Sequence, residues 1–116
     1  MKYMLLIYGD ERAAAQATKA QLKDQEDAYE AFTQSIIKSG NFLDGDPFLP
    51  TSSATTVQVT DGVTKTTDGP AVSSDPQLLA YYKVEAESPD AAVAMAARIP
   101  GARYGSIEVR PVVTYD

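Results

Sequence analysis

Apolar and polar positions change period several times along the chain, and each change predicts an element. Met1 to Tyr8 is a short apolar run with β-prone Tyr3, Ile7 and Tyr8, closed by Gly9-Asp10, which predicts a strand buried on both faces. Glu11 to Ser39 holds no Gly or Pro and is dominated by Ala, Gln, Glu and Lys, a helical composition. Within it, Thr18 followed by Gln21 has the form of a capping box, so a short lead-in over 11–17 precedes a main helix over about 19–39. Leu22, Tyr29, Phe32 and Ile36 form one apolar stripe on that helix, and Gly40 caps its end. Asn41 to Pro50 carries Gly45, Pro47 and Pro50, so it can form at most a short or edge strand.

From Ala54 the period becomes two. Val57 and Val59 alternate with Thr56, Gln58 and Thr60, and Asp61-Gly62 separates them from Val63-Thr64-Lys65, which predicts a β-hairpin ended by Asp68-Gly69-Pro70. Leu79 to Glu87 reads as a further strand. Ser88-Pro89-Asp90 opens a short helix over about 89–99, with Ala92, Val93, Ala96 and Ile99 on its apolar side and Pro100-Gly101 as its stop. Ser106 to Val113 is the last strand, with Ile107 and Val109 on one side and Glu108 and Arg110 on the other. This order predicts a single α+β domain over 1–116, a ferredoxin-like split β-α-β protomer with an added β-hairpin. Two helices cover only one face of such a sheet, so a second copy, sheet to sheet, is the expected cover for the other.

Composition narrows the chemistry. There is no cysteine and no histidine, which excludes disulfides, thiolate and imidazole metal sites, and Ser-His-Asp or Cys-His catalysis. The net charge is −6, and each half of the chain carries five of the ten basic and eight of the sixteen acidic residues, so no basic lobe offers itself to nucleic acid. Met4 to Tyr8 is far short of the ~20 apolar residues that span a bilayer, and the expectation is a soluble, cytoplasmic protein without a signal peptide or membrane partner. No phosphate loop, dinucleotide fingerprint or metal motif occurs, so no cofactor and no metal are expected.

Four groups invite a functional reading. Asp68-Gly69-Pro70 sets a carboxylate on a bend after a strand, where it can serve as general base; turn chemistry alone also favours these three residues. Tyr81 and Tyr82 face opposite ways on one strand, one into the core and the other free to offer its hydroxyl to a pocket or interface. Glu108 and Arg110 share a face, as a structural ion pair or with Arg110 as anchor for an anionic ligand. The acidic positions Asp24, Glu26, Asp27 and Glu30 spread around their helix as a solvated face does, not as a metal site does.

The opening Met1-Lys2-Tyr3-Met4-Leu5-Leu6-Ile7-Tyr8-Gly9-Asp10, with Asp61-Gly62, Thr67-Asp68-Gly69-Pro70, Tyr81-Tyr82, Ala97-Arg98-Ile99-Pro100 and Arg103-Tyr104-Gly105-Ser106-Ile107-Glu108-Val109-Arg110-Pro111, resembles the YCII-related domain family, and within it the DGPF-type branch. The resemblance spans the whole chain in order. It implies a protomer that pairs into a dimeric α+β barrel, with a small-molecule cleft beside the sheet. Asp-Gly-Pro-Phe of that branch reads Asp68-Gly69-Pro70-Ala71 here, and the acidic and basic residues usual just beyond are replaced by Ser73 and Asp75. A His-Asp pair seen in relatives has no histidine to form it.

Two functions follow as expectations. One is a cofactor-free small-molecule enzyme of lyase, isomerase or dehydrohalogenase type, with Asp68 as base and Tyr8, Tyr81, Tyr82, Arg103 and Arg110 around a small anionic or phenolic ligand. The alternative is a non-catalytic homodimer that binds a small ligand or takes part in regulation, in a pathway of an extracytoplasmic-function sigma factor.

Overall fold

A computed structural model of the protein describes residues 1–115. Its elements are β1 (Lys2–Gly9), α1 (Glu11–Gln16), α2 (Lys19–Lys38), β2 (Phe42–Pro47), β3 (Thr55–Thr60), β4 (Val63–Asp68), β5 (Gln77–Glu85), α3 (Pro89–Ala97) and β6 (Ser106–Pro111), with 3-10 turns at Thr51–Ser53 and Pro100–Arg103. The main sheet has the order β2-β5-β1-β6, and its neighbours are antiparallel. Apart from the short α1 and the β3-β4 hairpin, the chain runs strand, helix, strand, strand, helix, strand with the first and third strands central. This is the ferredoxin-like α+β arrangement.

Local chemistry sets the helix ends. At the start of α2 the Gln21 backbone N–H donates to the Thr18 hydroxyl at 3.1 Å, and the Thr18 N–H donates to the Gln21 side chain at 2.9 Å, a reciprocal capping box. At its end the Asn41 N–H reaches the Ile36 carbonyl and the Gly40 N–H the Ile37 carbonyl, while Gly40 adopts a φ of 80°. That is the Schellman closure, which needs a left-handed residue. Ser88 caps α3 by accepting from the Ala91 N–H, with Pro89 at its first position.

The core lies between the helices and one face of the sheet. Leu5, Ile36 and Val84 are fully excluded from water, and Tyr3, Ile7, Phe32, Tyr82, Met95 and Ile99 complete the cluster. The first strand departs from its expectation. Only Tyr3, Leu5 and Ile7 are buried, while Met4, Leu6 and Tyr8 are half-buried on the outer face, because α2 and α3 both pack on the same side. On α3 the buried residues are Ala92, Met95 and Ala96, and Val93 is exposed, since nine residues present only one narrow stripe. The strand expected over Leu79 to Glu87 runs from Gln77 to Glu85, and a register shift at Ile7/Tyr8 passes over Leu79 in its pairing with β1.

The hairpin stands away from this body. All its strand residues except Thr56 are exposed, Val57, Val59 and Val63 among them. The radius of gyration, 16.2 Å, exceeds the roughly 13 Å of a compact domain of this length. Asp61 and Gly62 have φ of 52° and 75°, so both central residues of the turn are left-handed, as a type I′ hairpin requires. Gly62→Val is expected to lower stability by about 1 kcal/mol, read from the denaturant midpoint. An unchanged midpoint would show that the hairpin contributes nothing to the cooperative fold.

Candidate functional site

The apolar stripe of α2 is used in two ways. Phe32 and Ile36 enter the core, whereas Leu22 is exposed and Tyr29 half-buried, because a cleft opens beneath the first half of the helix. Its volume is about 1170 Å³, above the several hundred cubic ångströms of a typical small-molecule site. Ala14 and Ala15 of α1 form one wall, and Leu22, Tyr29 and Thr33 of α2 the roof. The floor and far side come from Phe42, Gly45, Phe48, Leu79 and Tyr82. Glu11 of α1 is also in the lining, and its carboxylate oxygens accept from the Thr51 backbone N–H at 3.1 and 3.3 Å.

Two phenols sit in this lining with defined partners. Tyr82 is wedged edge-on against Phe32 and Phe42, with ring centroids 5.2 and 6.4 Å away, and its hydroxyl lies 2.7 Å from the Thr33 hydroxyl. Gly45 makes the ring position possible, since a Cβ there would stand 2.7 Å from a Tyr82 ring carbon. Burial pushes the Tyr82 phenol above its ordinary pKa, against the opposing effect of the Thr33 hydrogen bond. The Tyr29 phenol is likewise raised by burial, opposed by the Gly101 backbone close to its hydroxyl. Both therefore stay protonated at neutral pH and can donate. Around them Glu11, Glu26, Glu30 and Asp46 face a single cation, Arg12, which is ion-paired with Asp10 at 3.2 Å and Asp75 at 3.4 Å.

The residues singled out from the sequence are divided among several places. Tyr82 and Tyr81 belong to the cleft lining. Tyr81 is set on the opposite side of β5 from Tyr82, its ring stacked with Phe48 at 5.8 Å and its hydroxyl donating to Asp44 at 2.9 Å, which raises its pKa. Tyr8 and Arg110 lie on the outer sheet face, with Arg110 paired to Glu108 at 3.0 Å. Arg103 is exposed on the Pro100–Arg103 turn, and Asp68 is exposed at the end of β4 opposite Thr55. Among the described residues no hydrogen bond or ion pair joins Asp68 to any of them, and it does not line the cleft. Ala71, where the related pattern has Phe, is exposed beyond the hairpin. Among the described residues no cluster of three metal-ligating side chains occurs, and no helix is long and apolar enough to cross a membrane.

The sequence pattern places Tyr29 on the apolar stripe of α2 and gives no site role to Thr33, Gly45 or Phe48. Thr33 follows Tyr29 by one helical turn and so shares its face, a spacing open to inspection. Which part of the α2 stripe would lack a sheet beneath it was not.

The fold and cleft together define an α+β domain of ferredoxin-like topology with a small-molecule-sized cavity between its helix layer and its sheet. The whole chain, residues 1–116, matches the YCII-related domain family, and the protein belongs to that family. It is similar to an uncharacterised protein of Rhizobium meliloti (strain 1021), with 29% identity over 117 residues covering 99% of this chain and 94% of that protein.

Proposed function

We propose that the protein binds a small, neutral and largely apolar molecule, of phenolic or aromatic type, in the cleft between α1–α2 and the β5–β2 edge. The observation that carries this reading is the cleft itself, whose wall is aromatic and aliphatic with a few protonated hydroxyls. Four carboxylates against one engaged arginine favour a neutral ligand over the anionic one also expected from the sequence. The open, unpaired setting of Asp68 favours binding over catalysis, since a general base needs to reach a proton of its substrate. No cofactor enters this reading.

Titration of isotopically labelled protein with 4-ethylphenol tests it. Resonances of Leu22, Tyr29, Gly45 and Phe48 are expected to shift together, and Ala15→Trp, which places an indole in the space between the helices and sheet, is expected to weaken binding by about tenfold. Shifts confined to the outer sheet face, or binding indifferent to Ala15→Trp, would remove the cleft from the function.

We propose further that the working form is a homodimer closed through the outer sheet face, as in a dimeric α+β barrel. Met4, Leu6 and Tyr8 form an apolar line there that no helix covers. Leu6→Glu is expected to convert a dimer to a monomer in sedimentation equilibrium with little change in the helical signal. A wild-type protein that is monomeric at micromolar concentration contradicts the pairing.

A further inference from the structure

We infer that the cleft contains a two-donor site for a single oxygen, formed by the hydroxyl of Tyr29 and the linked hydroxyls of Tyr82 and Thr33, and that it selects ligands bearing a neutral carbonyl group. This rests on the cleft being the ligand site and states which chemistry the site recognises.

Counting protons carries the inference. Tyr82 and Thr33 share one hydrogen bond at 2.7 Å, in which either oxygen can be the donor. Two hydroxyls bring two protons and one is used between them, so whichever way the bond runs one O–H remains to give. For Tyr29, no acceptor of the hydroxyl proton occurs among the side-chain hydrogen bonds of the described residues. Its proton is therefore also available. Tyr29 and Thr33 are one turn apart on the same face of α2, and Thr33 is joined to Tyr82, so all three hydroxyls belong to one stretch of the lining. Two spare donors, both in the lining of one cleft, match the two lone pairs of a carbonyl oxygen.

The surroundings set the ligand's charge. Glu26 and Glu30 are also in the lining, and Glu30 lies near enough to Tyr82 to raise its pKa. A carboxylate ligand would meet these groups, whereas a ketone, aldehyde or amide oxygen accepts two hydrogen bonds without bringing a charge. Gly101 keeps the arrangement open, since a Cβ at that position would stand 2.6 Å from the Tyr29 hydroxyl oxygen.

The test compares 4-hydroxyacetophenone with 4-ethylphenol, which share ring and phenol and differ in the carbonyl, at mildly acidic pH where both are neutral. Wild-type protein is expected to bind the ketone about fivefold more tightly, the effect of one net hydrogen bond. Tyr29→Phe and Tyr82→Phe are each expected to reduce that preference, and the double variant to abolish it, the ratio of the two affinities being the quantity read in every variant. Each single variant is read by itself and its melting temperature recorded, so a double variant that fails to fold leaves the test intact. Equal binding of the two probes by wild type in the cleft, or a preference that survives both single variants, overturns the two-donor site and leaves the cleft reading standing. Absence of cleft shifts with either probe overturns both.

Discussion

Replacing Gly105 by alanine is expected to destabilise the protein by about 3 kcal/mol, at the upper end of what overpacking costs. Gly105 precedes β6, and a Cβ there would overlap the Tyr8 backbone carbonyl at the end of β1, with the Tyr8 carbonyl carbon and Gly9 Cα close behind. Its φ is not left-handed, so the requirement is close approach and not backbone conformation. Backbone atoms of a paired strand cannot swing aside as a side-chain tip can. Relief demands that β6 part from β1 at the Tyr8–Ser106 pair, which removes an end of the sheet. Urea unfolding reads the cost as a lowered midpoint at unchanged slope. A midpoint within experimental scatter of wild type would mean that the β1–β6 end opens freely.

Gly45→Ala is the second large effect, expected at about 2 kcal/mol with an additional loss of ligand binding. The new methyl would stand 2.7 and 3.1 Å from Tyr82 ring carbons and 3.1 Å from the Tyr81 carbonyl. Tyr82 is held edge-on by Phe32 and Phe42 and tied to Thr33, so its ring cannot retreat without breaking that hydrogen bond. Stability and the cleft are therefore coupled at this glycine. Thermal unfolding together with a 4-ethylphenol titration checks it: a fall in melting temperature with unchanged affinity would separate the Tyr82 ring from the binding wall.

Most of the fold was open to reading from the residues. The Thr18–Gln21 box, the Gly40 stop, the Asp61-Gly62 turn and the Ser88-Pro89 start are each local devices, whose geometry depends on residues a few positions apart. Alternation in β6 put Ile107 and Val109 on one side and Glu108 and Arg110 on the other, and the packing of Ile107 and Val109 against the core decided which side turns inward. Local rules gave less of the candidate cleft. Asp68 and Arg103 drew attention by residue type and family pattern, while the cleft is walled by an alanine pair, a glycine and aromatics that resemble ordinary core material.

What the chain determined by itself was the identity and order of its elements, because capping, turn conformation and hydrophobic period act over one to eight residues. What only the tertiary structure decided was where burial stops. Leu22 and Ile36 lie on the same predicted stripe, yet Ile36 is sealed and Leu22 faces a cavity, and Tyr82 became a cleft wall through contacts with residues 37 to 50 positions away. A cavity arises from the angle between a helix and a sheet, and that angle is set by packing among distant side chains, for which no local period carries a signal.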